Sequence, residues 1–165
     1  MTISRDIVAT WTGPRRVVSR IYSEGPREDR ALMILMAACG LFFIAAMPAL
    51  AREAHLDGAD LNPRLGGALL GWLVMAPLLA YLVSLVGMLW GVVTRRRTTG
   101  YGARLALFWA MLASSPLVLL NGLVSGLIGA GPALTLVGGA WFAAFLWFWL
   151  SGLAAVTEPR AERAA

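Results

Sequence analysis

ALMILMAACGLFFIAAMPAL, residues 31–50, carries no charged side chain. As a helix rising about 1.5 Å per residue it just covers a hydrocarbon core of about 30 Å. Three further stretches are as apolar: 65–93, with Pro77 near its middle, 103–128, with Arg104 in its first turn, and 132–156, uncharged and rich in aromatics. In lipid every backbone N–H and C=O must find an internal partner, so such runs are expected to be helices. A β-barrel would require polar and apolar residues to alternate, and they do not.

Composition agrees. Hydrophobic residues make up 59% and charged residues 14%, where a soluble domain has about 25% charged. The expected fold is an all-α membrane protein with four transmembrane helices. The second run is long enough that it must tilt, kink or protrude.

The loops set the orientation. All fourteen basic residues are arginine, and six precede residue 31. Arg95, Arg96 and Arg97 lie in the gap 94–102, with Arg104 just beyond, and Arg160 and Arg163 lie in the tail 157–165. In the gap 51–64, Arg52 and Arg64 stand among Glu53, Asp57 and Asp60, and the gap 129–131 is uncharged. Four spans put both termini and the second gap on one side. The excess of arginine makes that side cytoplasmic, which points to a multi-pass protein of the cytoplasmic (inner) membrane. Trp11, Tyr22, Trp90, Tyr101, Trp147 and Trp149 fall near that face, as an aromatic belt requires.

Residues 1–30 form a separate cytoplasmic segment. Val17, Val18, Ile21 and Tyr22 make one helical stripe flanked by Arg16 and Arg20, and Thr12-Gly13-Pro14 is a start signal. Two short helices are expected, 3–11 and 14–23. One reading lays this amphipathic pair in the headgroup plane. The other packs it on the cytoplasmic loop. Residues 1–30 lack the apolar core and cleavage site of a signal peptide. Asp57-Gly58 should end a polar extension of the first helix, Asn62-Pro63 should start the next, and Gly-Ala-Gly before Pro132 should be a tight turn between antiparallel helices.

Few polar groups lie within the runs. Ser114 and Ser115 precede Pro116 halfway along the third span, where a hydroxyl can satisfy a backbone group freed by the proline. A nucleophilic serine would need a base, and the runs contain no His, Lys, Asp or Glu. Asn121 suits a hydrogen bond to a neighbouring helix, or else a ligand or dimer contact. Gly67/Gly71, Gly87/Gly91 and Gly122/Gly126 match the small-xxx-small spacing of close helix packing and hint at a homo-oligomer. His55 among loop carboxylates falls short of a metal ligand set. Cys39 lies alone in an apolar run, so it cannot form an internal disulfide. No phosphate-binding loop, paired-cysteine or haem motif is present, and no cofactor is expected. The net charge of +5 has no soluble basic domain to carry it, which argues against nucleic acid and for anionic headgroups. Arg15, Arg16, Arg20, Arg95, Arg96, Arg97 and Arg104 are therefore the candidate contacts for lipid or for an acidic partner. Arg104, one turn inside its span, is placed to snorkel toward phosphates.

ATWTGPRRVVSRI (9–21), YGARLALFWAMLASSPLVLLNGLVSG (101–126) and GPALTLVGGAWFAAFLWFWLSGL (131–153) resemble segments of the bacterial Yip-domain proteins, relatives of the eukaryotic Ypt/Rab-interacting proteins. The resemblance implies a small helical membrane bundle with no catalytic residues. The family often has more spans than the four expected here. The reading is a non-enzymatic interaction or membrane-organising module. The alternatives are a small transporter or channel subunit, or an accessory subunit of a larger membrane complex.

Overall fold

The computed structural model describes residues 3–93 and 96–159. Among them, three helices are long and apolar enough to cross a membrane: Glu28–Asp57, Leu61–Leu89 and Pro132–Val156. A pair bent by 45°, Gly100–Ala113 and Ser115–Leu127, makes a fourth if counted as one span.

The chain opens with two short helices, α1 (Ile3–Thr12) and α2 (Pro14–Ser23), parted by Gly13. Pro14 fits the first turn of α2 because its missing N–H would have had no helical partner there. Helix α3 (Glu28–Asp57) runs through the first apolar stretch and its polar extension, with Glu28 and Asp29 at its positive end. It stops at Gly58, whose φ of 63° is the left-handed cap that glycine adopts without strain. Helix α4 (Leu61–Leu70) continues through a π turn (Gly71–Met75) into α5 (Ala76–Val93). This long run, expected to tilt, kink or protrude, widens into the π turn just before Pro77. The Ala76 N–H donates to the Gly71 carbonyl, a wide turn that absorbs the register change just before the proline.

The third apolar stretch is two helices, α6 (Gly100–Ala113) and α7 (Ser115–Leu127). Pro116 in the first turn of α7 cannot donate back into α6, so the helix breaks at Ser114. Gly129, at φ 90°, turns the chain into α8 (Pro132–Val156), whose ends coincide with the expected span.

Helix α6 is the centre of the bundle. Every residue from Tyr101 to Ala113 is buried except Arg104 and Met111. It is walled by α3, α5 and α8 and, on the remaining side, by α1 and α2. Helices α3 and α7 cross very closely. A Cβ on Gly122 would meet the Ala45 backbone, with its Cα at 3.0 Å and its carbonyl carbon at 2.7 Å; one on Gly126 would meet the Pro48 carbonyl at 2.7–2.8 Å. In lipid such contact is held by van der Waals packing, because lipid tails are as apolar as the helices. The Gly122/Gly126 pair is therefore used inside the chain. Gly67 and Gly71 face open space.

Two departures concern the N-terminal segment, the second gap and the tail. Residues 94–102 and the tail, read as loops, contribute a short antiparallel ribbon: β1 (Arg96–Thr98) on β2 (Thr157–Pro159). The amphipathic pair does not turn its α2 stripe to lipid. Val17, Val18 and Ile21 are 5%, 1% and 2% exposed and belong to the bundle's core. Small residues make room for them: Val18 lies 3.5 Å from where a Cβ on Gly152 would stand. The first thirty residues are not a separate layer, since their apolar stripe completes the wall around α6.

Candidate functional site

One end of the bundle gathers the N-terminal hairpin, the start of α3, the start of α6 and the ribbon. Thr99 caps α6: its hydroxyl accepts from the Gly102 N–H at 3.1 Å. The same hydroxyl shares a hydrogen bond of 3.0 Å with the Tyr22 hydroxyl at the end of α2. Tyr22 also stacks on Tyr101, ring centres 6.1 Å apart. The N-terminal segment and the second gap are thus brought together.

The candidate arginines do not share one role. Arg20 pairs with Asp6 at 2.6 Å and ties α2 to α1. Arg104 pairs with Glu28, its Nε donating to Oε2 at 3.2 Å, and ties α6 to the first turn of α3. Arg104, expected to reach toward phosphates, holds this pair within the protein. Arg27 pairs with Asp29, and Arg30 with Glu24. Arg15 and Arg16 are exposed and form no ion pair among the described residues. Arg95 lies outside the described residues. The backbones of Arg96 and Arg97 stand opposite Pro159 and Glu158 in the ribbon, and Thr98 and Thr157 share a hydroxyl bond of 3.0 Å across it.

Arg104 and Glu28 are partly exposed, at 26% and 53% of the side chain, so their coupling should be small. A double-mutant cycle of Arg104→Gln and Glu28→Gln, read by thermal unfolding in detergent, is expected to give below about 1 kcal/mol. A coupling of several kcal/mol would mean that the pair is far more desolvated than it looks.

Within the spans, Ser114 is fully buried. Its hydroxyl donates to the Met111 carbonyl at 3.1 Å and accepts from Trp141 Nε1 at 3.3 Å. The first bond is the mechanical role expected beside a helix-breaking proline; the second joins the break to α8. Ser115 is buried too. Asn121 faces α8 at Gly138, and its Oδ1 is buried with no hydrogen-bond partner. The interhelical bond expected of this amide is not made by its oxygen. Replacing the amide by leucine removes an unsatisfied acceptor. Asn121→Leu is expected to leave stability unchanged or raise it by about 1 kcal/mol, measured by thermal unfolding. A clear loss would show that the amide holds a partner.

At the opposite end, Arg64 pairs with Asp57 at 2.7 Å and Glu53 at 3.5 Å. Arg52 donates to the Gly126 and Leu127 carbonyls at 3.4 Å, where a cation suits the negative end of α7.

Sequence reading missed the Thr10–Trp109 contact. Thr10 is fully buried and its hydroxyl accepts from Trp109 Nε1 at 3.0 Å, which fixes α1 against α6. A polar Thr in a short apolar turn was the only signal. Comparison with protein-family models, curated proteins and solved structures finds no match to this chain.

Proposed function

We propose that this chain is a non-enzymatic, four-span protein of the cytoplasmic membrane, with both termini inside, and a small relative of the bacterial Yip-domain proteins. It acts as an interaction or membrane-organising module through its arginine-rich end. One observation carries the reading: the Tyr22–Thr99 hydroxyl bond joins the two arginine-rich segments at one end of a helical bundle. The arginines of α2 and of the second gap thus belong to segments that meet at that end.

The test is cross-linking in native membranes followed by purification of the full chain, wild type against Arg95/Arg96/Arg97→Ala. Loss of a cross-linked partner or of bound lipid is expected. Unchanged partners and lipid in correctly inserted protein would sink the proposal.

A second reading, a small transporter or channel subunit, is favoured by the unpartnered Asn121 oxygen about two turns past the α6–α7 break. Against it, intramembrane charges usually mark ion pathways, and the apolar runs carry none beyond Arg104 near one end. Flux into liposomes that is absent for wild type removes this reading; flux lost in Asn121→Leu supports it.

A further inference from the structure

The α2 stripe is covered by protein, yet the hairpin still presents a mixed apolar and basic edge. On α1, Ile3, Val8 and Trp11 are 58%, 69% and 38% exposed. Arg5, Arg15 and Arg16 are exposed beside them and form no ion pair among the described residues. Trp11, Arg15 and Arg16 lie within three residues of Gly13, the joint between the two helices, and Val8 is about one turn before Trp11.

The hairpin's position decides what this edge meets. Thr10 bonds Trp109, Trp11 sits edge-on to Phe148 at 5.2 Å, and Val18 lies against Gly152. Phe148 is about two turns before the end of α8. The hairpin therefore runs from the end of the bundle, at Tyr22, back along the flanks of the apolar helices α6 and α8. With α6 and α8 as spans, a surface in that position meets the bilayer. An acidic soluble protein would match the arginines but leave Ile3 and Val8 in water. A layer of anionic headgroups over acyl chains takes both: phosphate oxygens accept from guanidinium groups, and the apolar side chains enter the acyl boundary.

We propose that the exposed edge of the α1–α2 hairpin is a binding edge for anionic phospholipids, with Arg5, Arg15 and Arg16 on the phosphates and Val8 and Trp11 in the acyl boundary. This rests on the reading that this end of the bundle lies at the cytoplasmic face.

The experiment uses the full chain in nanodiscs of phosphatidylcholine with and without phosphatidylglycerol. Native mass spectrometry reads retained lipid, and a spin label on Val8→Cys in a Cys39→Ser background reads depth. Wild type is expected to retain phosphatidylglycerol over phosphatidylcholine, and Arg5/Arg15/Arg16→Gln to lower that preference by at least roughly tenfold. Arg27→Gln, whose arginine is already paired with Asp29, should leave it unchanged. The label should collide with oxygen more than with an aqueous nickel chelate. Equal retention by wild type and the triple variant overturns the proposal. So does displacement of lipid by soluble glycerol phosphate, which would mark a free-anion site. Loss of a cross-linked acidic protein with lipid retention intact also overturns it. A label at position 8 that reacts with an impermeant reagent from the outer side would instead overturn the topology on which the proposal stands. An inside label without lipid preference removes the lipid edge alone.

Discussion

Gly122→Leu should be the most damaging single substitution in the bundle, lowering stability by about 3 kcal/mol or more. The obstacle is backbone. A Cβ there runs into Ala45, with its Cα 3.0 Å away, and one turn on a Cβ at Gly126 runs into Pro48. A side-chain tip could swing aside, but a carbonyl in the middle of α3 cannot move without parting the helices. Parting them also loosens the bonds from Arg52 to the last carbonyls of α7. Gly67→Leu is the matched control, since nothing lies within 4 Å of a Cβ at that site; its effect should stay within about 0.5 kcal/mol. Thermal unfolding of both variants in one detergent makes the comparison. Equal midpoints would mean that α3 and α7 do not cross as closely as described.

The second large effect is local. Val18→Asp places a carboxylate against Gly152, where Val18 is 1% exposed. An unpaired buried charge costs about 3 kcal/mol or more, and the hairpin can avoid that cost by leaving its groove. Release of α1 and α2 with the rest of the bundle intact is therefore expected. Amide exchange should rise across 14–23 and trypsin should cut at Arg15 and Arg16, while exchange in α3 and α7 stays slow. Val18→Ala, which adds no charge, should keep the hairpin docked. Exchange in Val18→Asp matching wild type would refute the docking.

Much of the layout was legible because its signals are local. Gly-Ala-Gly-Pro marks both the end of α7 and the start of α8; Asp57-Gly58 stops α3; Gly13-Pro14 parts the first two helices. Each is a backbone constraint written in adjacent residues. What the sequence did not reveal depends on contacts between distant segments. Glu28 and Arg104 look like a helix-start acid and a snorkelling base until the fold sets them side by side. The stripe Val17, Val18, Ile21 looks the same whether lipid or protein covers it, because both are apolar. Glycine spacing is similarly ambiguous: Gly122/Gly126 and Gly67/Gly71 share a pattern, and only the structure shows the first pair used and the second open. At the candidate site, the meeting of the two arginine-rich segments was foreseen. The division into paired arginines, Arg20 and Arg104, and outward ones, Arg15 and Arg16, was not.

The groove that receives α2 also bears on the order of assembly. Its walls are α6 and α8, which leave the ribosome after the hairpin. At 5–20 residues per second, on the order of ten seconds or more separates synthesis of the hairpin from synthesis of its seat. Throughout that interval Val17, Val18 and Ile21 have no protein to cover them, and the nearest apolar phase is the membrane surface. The hairpin is thus made before the groove that receives it.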